Sequence, residues 1–488
     1  MKAIKILIIA MAGLLSSVYA VPASPSPGEH TLPDGSTITV QLFGDENVSW
    51  RETNDEYTIL FNGEGFLEYA VQDESGDLKL SGVRVRHVHE RTDEEKKFLE
   101  GHRKKLRYSR SQVEAMRELR RATNNAIESV ILQESGSQAL SFDFNIDTQQ
   151  STISGEVRVP IFLVQFQGKS LVKTKADFEM LFNQLNYTAG GTITGSLRDY
   201  FKANSYGKLD LQVDIYGPYT LPNPISAYDS KSGGSNSGTF GSEVFSLAQS
   251  AGFNFSKYPN PNMPGYAVSP HFIFAGYGQE NAGVNPGQSI WSHAGTYSTP
   301  INLNGISVRG YSCSPELSGS SGTNITYIGV IAHELGHSLL GLPDFYDTDY
   351  EGSGGQSVHI DQWDLMASGS WGDNGRTPTN LSAYARAAVG WASEITLSNS
   401  TNITIPNPAT QGVVYRINTS TPNEYFLLEN RQKINWDAYI PNSGLLIYHV
   451  DKNHSGWASS GVNYNKINAN PSNRGYYVKQ AGCAIVNG

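Results

Sequence analysis

The sequence predicts a mixed α/β (α+β) protein whose N-terminal and C-terminal parts are rich in β-strands. Three observations predict this class: period-two alternation within residues 36–90, strands that intermix with helices between residues 157 and 390, and renewed alternation after Trp391. At ~150 residues per domain, a chain of 488 residues accommodates several such parts. The predicted division is 1–20, 21–135, 155–395 and 396–488.

Net charge and hydrophobic content limit the classes of protein to consider. The formal net charge is −10, and an acidic chain lacks the basic surface that phosphate binding needs, so no nucleic-acid partner is expected. Hydrophobic residues make up 39% of the chain, enough for a sizeable core. The one long apolar run is N-terminal, so a protein with several membrane spans is not expected.

Residues 1–20 have the pattern of a secretory signal peptide. Lys2 and Lys5 precede the apolar run Ile6–Leu15, and small side chains stand at −3 and −1 of a cleavage site after Ala20. The alternative is a membrane anchor, but the run is shorter than the ~20 residues that a span needs. We therefore predict a secreted, extracellular protein with no membrane association after signal removal.

The two cysteines of such a protein would face an oxidising compartment. Cys313 and Cys483 either pair in a disulfide or remain two buried thiols, and both alternatives stay open. Their spacing is not that of a metal-binding Cys-x-x-Cys pair.

The N-terminal part divides into a linker, a small β module and a basic helical connector. Residues 21–27 are rich in proline, and residues 36–90 alternate as strands do. Residues 91–121 carry eleven Lys and Arg against six Asp and Glu, with sparse apolar positions. This segment is either a charged connector or a protease-accessible hinge with exposed dibasic pairs, Lys104-Lys105 and Arg120-Arg121.

The remaining elements follow from hydrophobic period and length. Ser242 is a plausible N-cap of the helix that it begins. The predicted strands are Val157–Phe166, Leu209–Tyr216, Phe272–Ala275, Val413–Ile417 and Gly444–Val450. The predicted helices are Ala176–Leu185, Leu197–Asn204, Ser242–Gln249, residues 325–340 and Asn380–Gly390.

The most specific motif is His333-Glu334-Leu335-Gly336-His337. The apolar positions of this segment recur at spacings of three and four, so they share one helix face. His333 and His337 are four residues apart, so their imidazoles lie together on the neighbouring face and both reach one Zn²⁺ at ~2.0–2.1 Å. The alternative is two surface histidines and a solvated carboxylate, but a chance match is expected only ~0.01 times in such a chain.

Glu334 lies one residue further round this helix and would touch a metal-bound water without binding the metal. Zinc lowers the pKa of its water to about 7. Glu334 is then expected to take the proton as the water attacks a carbonyl, and to pass it to the leaving amine. Candidate stabilisers of the resulting oxyanion are the zinc itself, Tyr346, Tyr384 and His293, although each of these side chains is better explained by a structural role than by a catalytic one.

The helix is expected to end at Gly341, because glycine tolerates a left-handed cap, and Pro343 cannot continue it. A catalytic zinc ion is typically bound by three protein ligands, and Asp344 is the nearest carboxylate after the turn. Three further carboxylates either bind Ca²⁺ through hard oxygens or belong to a solvated loop: Asp347, Asp349 and Glu351. Downstream, Met366 lies in a segment that has the composition of a tight turn, as in the Met-turn of metzincins.

Together these blocks resemble the secreted immune inhibitor A–like zinc metallopeptidases. The resemblance is carried by the following segments: Gly195–Phe201, Ala275–Gly278, Ile290–His293, Ser314–Glu316, His333–His337, Leu342–Asp347, Leu365–Trp371, Glu424–Arg431 and Gly444–Asp451, with Gly44–Thr53 similar to the family's propeptide.

The resemblance implies a zincin/metzincin-like catalytic domain at 155–395, a propeptide at 21–135 and a β-rich C-terminal region. It implies a secreted zinc-dependent endopeptidase made as a zymogen, acting on protein or peptide substrates after an activating protease removes the block. The metal ligands would be His333, His337 and Asp344, with one catalytic Zn²⁺, and the catalytic residue would be Glu334. Ca²⁺ is a second candidate cofactor.

The chain departs from the family's pattern at the end of the metal helix. The family places glycine three residues after the second histidine, whereas Gly341 is fourth, and one extra helical residue turns the exit by ~100°. The alternatives to Asp344 as third ligand are Glu351, Glu280 and Glu316. No cysteine precedes Cys313, so latency would depend on other groups; the candidate carboxylates are Asp45, Glu46 and Glu52.

Two other functions compete with a peptidase. One is a secreted, non-catalytic, zinc-containing binding protein, which has no use for a base such as Glu334. The other is a zinc hydrolase of esters, because the same water attacks either kind of carbonyl. An isolated histidine in an apolar strand, His449, is better explained as a satisfied sheet residue than as a ligand.

Overall fold

The computed structural model describes residues 15–118, 153–229, 237–398, 402–458 and 464–479. Their helices and three β-sheets confirm the mixed α/β class. Within these ranges, the helices are all too short or too polar to cross a lipid bilayer. Cys483 and the dibasic pair Arg120-Arg121 lie outside the described residues, so the choice between a Cys313–Cys483 disulfide and two thiols is not tested; Cys313 is buried.

The central sheet carries the site described below. Its spatial order is β1-β11-β12-β10-β8-β9, with parallel pairing from β12 through β10 and β8 to β9, and antiparallel pairing of β11 with both its neighbours. The strands are β1 (Leu15–Ala20), β8 (Gly155–Gln165), β9 (Leu209–Thr220), β10 (His271–Tyr277), β11 (His293–Leu303) and β12 (Ile306–Leu317). Buried side chains cover both faces, as a parallel sheet between layers requires.

The four α-helices between residues 175 and 338 pack on this sheet by their apolar faces, whereas Leu99 of the helix Asp93–Leu99 joins the core of the N-terminal sheet. Three of the α-helices begin with a capping box, in which a Ser or Thr side chain and the acidic residue three positions later satisfy each other's backbone N–H groups. The α-helices are α1 (Asp93–Leu99), α2 (Lys175–Asn183), α3 (Leu197–Asn204), α4 (Phe240–Ser250), α5 (Ile328–Ser338) and α6 (Ala383–Ala388). Residues 110–118 are also helical, up to the edge of the described range.

One helix start differs from the prediction. Ser242 is not an N-cap, because α4 begins two residues earlier, directly after a 3-10 turn at Ser237–Thr239. The Ser242 hydroxyl instead donates to the Thr239 carbonyl within the first turn. The apolar face of α4 therefore starts at Phe240, which is buried.

The N-terminal and C-terminal parts are each built on one sheet, as their alternation predicts. The N-terminal sheet is an antiparallel meander of β2 (Gly28–Thr31), β3 (Thr37–Gly44), β4 (Ser49–Thr53), β5 (Thr58–Phe61), β6 (Leu67–Gln72) and β7 (Leu78–Arg84). The C-terminal sheet contains β13 (Ser393–Thr396), β14 (Val413–Asn418), β15 (Glu424–Arg431), β16 (Gly444–Asp451) and β17 (Tyr476–Val478).

Buried ion pairs join the C-terminal sheet to the central part. Arg386 of α6 binds the Glu429 carboxylate of β15, and Arg431 binds both Glu429 and Asp437. All four side chains are buried, so removing one partner would leave an uncompensated charge. His449 of β16 pairs with Glu424 at 2.7 Å, which fits the expectation of a satisfied sheet histidine.

Candidate metal centre

Helix α5 presents both motif histidines in the interior of the protein. His333 and His337 are 0% and 4% exposed, while Ile331 and Leu335 pack into the main core on the other side of the helix. Gly336 lets the segment that contains Met366 approach closely, because a Cβ there would lie 2.4 Å from the Met366 sulfur. A methionine therefore lies against the helix beside the histidines, as the metzincin-like turn predicts.

Two backbone carbonyls fix the orientation of the imidazoles. His333 Nδ1 lies 2.8 Å from the Leu365 carbonyl oxygen, and His337 Nδ1 lies 2.6 Å from that of Leu342. A carbonyl only accepts, so both Nδ1 atoms must carry the proton and donate it. Each Nε2 then keeps a lone pair, and orientation by such outer contacts is typical of metal-binding histidines.

The chain turns back after α5 and brings Asp344 to the same point. Gly341 adopts a left-handed φ of 69°, with its N–H bonded to the His337 carbonyl, while Leu342 N–H reaches the Gly336 carbonyl. The widened turn absorbs the extra residue before Gly341. Asp344 Oδ1 consequently lies 3.2 Å from the Nε2 atom of each histidine.

A side chain from the C-terminal region holds Asp344 in place. Asn465 Nδ2 donates to Asp344 Oδ2 at 2.7 Å, and the Asp344 N–H donates to Asn465 Oδ1 at 2.9 Å. These two bonds leave Oδ1, the oxygen that faces the histidines, without a hydrogen-bond partner. Sequence reasoning missed Asn465, because it is 121 residues away and no local motif marks it.

Three electron-pair donors thus face one another without a proton between them. His333 Nε2 and His337 Nε2 are 3.1 Å apart, and Asp344 Oδ1 is at a similar distance from both. Tetrahedral ligands at ~2.0–2.1 Å from zinc lie roughly 3.3 Å from each other. The donor set and its spacing therefore fit a zinc ion, and among the described residues this is the one group of three side chains that could hold a metal.

The electrostatics of the group also favour a cation. Burial by itself raises the pKa of Asp344, but the positive charge that the facing imidazoles carry when protonated outweighs it and lowers that pKa to about 2. Burial lowers the pKa of His337, which favours its neutral ring. With neutral rings, the Asp344 carboxylate gives this buried site a net negative charge.

Glu334 lies beside this group and points toward the same space. Its carboxylate is 0% exposed; Oε1 accepts a hydrogen bond from the Val21 N–H at 3.0 Å, and Oε2 has no hydrogen-bond partner. Burial, and next the charge of Asp344, raise the pKa of Glu334 well above its ordinary value. An environment that favours the protonated carboxyl is one in which a carboxylate accepts a proton readily.

An extended segment from the N-terminus lies across the site. β1 pairs antiparallel with β11, with Ala20 opposite His293, and the chain then continues past Glu334. The Tyr346 hydroxyl donates to the Ala20 carbonyl at 2.7 Å. The Ala20–Val21 peptide group is therefore held between Tyr346 on its carbonyl side and Glu334 on its N–H side.

Two tryptophans bind the backbone beyond that peptide group. Trp291 Nε1 donates to the Val21 carbonyl, and Trp371 Nε1 donates to the Pro22 carbonyl, each at 2.9 Å. Ser24 N–H bonds the Glu280 carbonyl at 2.8 Å. Residues 21–27 are thus partly a bound segment of the cleft, where composition predicted a linker. Because the backbone makes these contacts, the side chains of residues 21–27 could not predict them. Both tryptophans, however, belong to the segments that carry the family resemblance.

The alternative third ligands lie elsewhere. Glu316 accepts hydrogen bonds from the backbone N–H groups of Val172, Lys173 and Gly276. Glu280 accepts bonds from Ser292, and burial raises its pKa. Glu351 is not among the carboxylates that approach the histidines in the described residues.

The acidic cluster after Asp344 forms a tight loop. The Asp347 carboxylate accepts N–H bonds from Asp349, Tyr350 and Ser357 at 2.8–3.1 Å. Burial raises the pKa of Asp347 to about 8, and the charge of Asp349 adds to that shift. The backbone bonds explain this carboxylate as a loop-forming group.

The other sequence candidates are placed away from the histidines or in other roles. His293 contacts the Trp291 carbonyl and the Tyr311 hydroxyl, and the Tyr384 hydroxyl accepts a bond from Lys452. The propeptide candidates Asp45 and Glu52 bind their own sheet and Arg107. Glu46 is close enough for its charge to raise the pKa of Glu334.

Comparison with known proteins shows that the central segment is similar to a family of peptidases. Residues 260–392 match the model of the immune inhibitor A peptidase M6 catalytic domain. The pre-pro-metalloprotease PrtV of Vibrio cholerae is 28% identical over 244 residues, 43% of this chain and 25% of its own length. Immune inhibitor A of Bacillus thuringiensis subsp. alesti is 30% identical over 226 residues, 39% of this chain and 31% of its own length. The matches thus span about a quarter to a third of these relatives, and the resemblance to the family is confirmed.

Proposed function

We propose that this chain, whose residues 260–392 carry the catalytic-domain pattern of the immune inhibitor A peptidases, is a secreted zinc-dependent endopeptidase made as a zymogen. One observation carries the proposal. His333 Nε2, His337 Nε2 and Asp344 Oδ1 face one another at 3.1–3.2 Å, with the buried carboxylate of Glu334 beside them. The names of the relatives, a metalloprotease among them, agree with it.

His333, His337 and Asp344 would hold the ion. Zinc, when bound, supplies Lewis acidity and lowers the pKa of a water to about 7. Glu334 receives the proton as the peptide carbonyl is attacked and delivers it to the departing amine nitrogen. The position of the Val21 nitrogen, 3.0 Å from the Glu334 carboxylate, supports the second transfer because it lies where such a nitrogen would be.

Tyr346 would stabilise the oxyanion. Its hydroxyl already donates to the carbonyl of the peptide group whose nitrogen contacts Glu334. A fixed donor aimed at a carbonyl oxygen that gains negative charge lowers the barrier more than it lowers the energy of the substrate. Of the stabilisers that the sequence suggests, Tyr346 is the one whose contact supports this role.

An endopeptidase needs a cleft that is open at both ends. The N-terminal segment passes through the site with β1 on one side of the Ala20–Val21 peptide and residues 22–26 on the other. A chain bound in this way has residues on both sides of the reacting bond, whereas an exopeptidase cleft is closed on one side. The extended backbone contacts also favour a peptide over a small ester.

Latency would come from the same segment. Signal removal after Ala20 would leave residues 21–26 in the cleft, held by Trp291, Trp371 and the Glu280 backbone. This arrangement differs from the side-chain block by Asp45, Glu46 or Glu52 that the sequence suggested, because backbone atoms make the contacts. An activating protease would release the segment by cutting an accessible site such as Lys104-Lys105, whose residues are exposed.

The proposal is tested by casein hydrolysis before and after limited trypsin cleavage. We expect activity to appear after cleavage, to vanish with a chelator and to return with zinc. Activity of equal size before cleavage would contradict the zymogen but not the peptidase. Stoichiometric zinc without hydrolysis under any condition would contradict the peptidase and favour the non-catalytic zinc-binding protein.

A further inference from the structure

The unprimed side of the cleft, N-terminal to the reacting bond, has a side-chain pocket that a residue of this chain lines and partly fills. Tyr19 enters it from β1, with its ring stacked on the His337 imidazole at 4.4 Å between centroids and 11° between planes. The centroid of the Tyr464 ring lies 5.0 Å from the centroid of the Tyr19 ring. The pocket walls also include Met263, Tyr266 and Arg309.

The backbone of β1 lies as an extended peptide would when added to a sheet edge. β1 is the terminal strand of the central sheet, so without it β11 would be the edge and its N–H and C=O groups would be available to another strand. The register places Tyr19 opposite Ala294 and Ala20 opposite His293. In a substrate bound this way, the reacting bond would take the position of the Ala20–Val21 bond. The pocket would then receive the second residue before the reacting bond, as it receives Tyr19 here.

The chemistry of the pocket suits an aromatic side chain. Rings and a thioether make favourable contacts with an aromatic guest, and a planar ring stacked on an imidazole adds directional preference. The Arg309 side chain disfavours a cationic guest, and its stem adds apolar surface. Two walls come from different parts of the chain, Met263 from the loop before β10 and Tyr464 from the C-terminal region.

We propose that this pocket selects substrates with tyrosine or phenylalanine two residues before the cleaved bond, and that Met263 and Tyr464 determine this preference. The proposal rests on the proposed peptidase function. The predicted signal peptide contains Tyr19, so its removal would open the pocket fully to a substrate, while residues 21–26 would still have to be released.

The test uses the full chain, activated by limited trypsin, and a set of otherwise identical peptides. They carry Tyr, Phe, Ala, Glu or Lys two residues before the cleaved bond, and mass spectrometry verifies the bond. We expect kcat/KM for tyrosine and phenylalanine to exceed that for alanine by roughly tenfold or more, with lysine lowest. The tyrosine-to-alanine ratio should fall several-fold in Met263→Ala and in Tyr464→Ala, and be kept in Tyr464→Phe.

Tyr439→Ala is the matched control, because Tyr439 is 51% exposed and the substitution is the same. Zinc content and melting temperature of each variant show whether it is folded and loaded, and the Met263 variant tests the pocket independently if Tyr464→Ala does not fold. Equal rates for all five peptides, a preference for glutamate over tyrosine, or an unchanged ratio in both wall variants would overturn the pocket assignment. Failure to cut any peptide would instead overturn the peptidase function itself.

Discussion

Substitution of Asn465 by alanine should weaken zinc binding although Asn465 does not touch the ion. Asn465 makes two hydrogen bonds to Asp344, one to its carboxylate and one from its N–H. Asn465 is 9% exposed and Asp344 only 1%, so water replaces these bonds poorly. Without them, the carboxylate regains rotational freedom and its free oxygen no longer stays at 3.2 Å from both histidines.

The size of the effect follows from the kind of bond removed. A hydrogen bond to a charged group contributes about 1.5–3 kcal/mol. Loss of an outer-sphere partner of a metal ligand typically costs 10–100-fold in affinity, which is about 1.4–2.7 kcal/mol. The two estimates agree, so we expect the zinc Kd of Asn465→Ala to rise roughly 10–100-fold.

Competition with a chromogenic zinc chelator measures that Kd. Asn453→Ala is the control for the substitution, because Asn453 is exposed and in the same region. Asn468→Ala is the control for packing, because Asn468 is buried and bonds the Phe345 carbonyl but not the Asp344 side chain. A wild-type Kd in Asn465→Ala, or an equal rise in Asn468→Ala, would refute the positioning role.

Three further predictions test separate parts of the account. Tyr346→Phe should lower kcat for casein-derived peptides by roughly 10²–10³-fold, because it removes the hydroxyl that donates to the Ala20 carbonyl. The control Tyr415→Phe, whose hydroxyl donates to the Thr404 carbonyl instead, should leave kcat unchanged. A small loss in Tyr346→Phe would assign Tyr346 a structural role. Gly329→Ala should lower the free energy of unfolding by at least the ~1–3 kcal/mol typical of overpacking, and with it the melting temperature, since its Cβ would lie 2.0 Å from the Ser370 carbonyl oxygen. Gly101→Ala, with nothing within 4 Å of its Cβ, should change neither. Burial raises the pKa of Asp347 to about 8 in the folded protein, against about 3.9 in the unfolded chain. Its contribution to the free energy of unfolding is therefore complete below pH ~3.9 and is lost as the pH rises toward 8. Calorimetry should find that the free energy of unfolding declines more steeply with pH in wild type than in Asp347→Asn. Added calcium that reverses this decline in wild type alone would support the predicted calcium site at the acidic cluster, and no response would contradict it.

Local patterns made much of the fold predictable. The helix Leu197–Asn204 has the predicted bounds, because its capping box and apolar period are both local. The predicted start of α4 was wrong by two residues, because the helix continues directly from a 3-10 turn and no serine cap begins it. Strand pairing across the central sheet depends on contacts between distant segments, and no local pattern fixes it.

The candidate site likewise contains residues that local sequence predicts and residues that tertiary contacts bring in. His333, Glu334 and His337 are predictable together because one turn of helix sets their relation. The approach of Asp344 depends on how the turn at Gly341 closes, which the sequence left open. Asn465, Trp291 and Trp371 act through tertiary contacts with residues far away in the chain, so their roles required the structure.

The central claim is that Glu334 performs proton transfer beside a zinc ion that His333, His337 and Asp344 hold. Casein hydrolysis and zinc content, measured on the same trypsin-activated samples of wild type, Glu334→Gln and the control Glu351→Gln, test it most directly. We expect equal zinc content in all three proteins, with hydrolysis lost only in Glu334→Gln. Hydrolysis at the wild-type rate by zinc-loaded Glu334→Gln would contradict it.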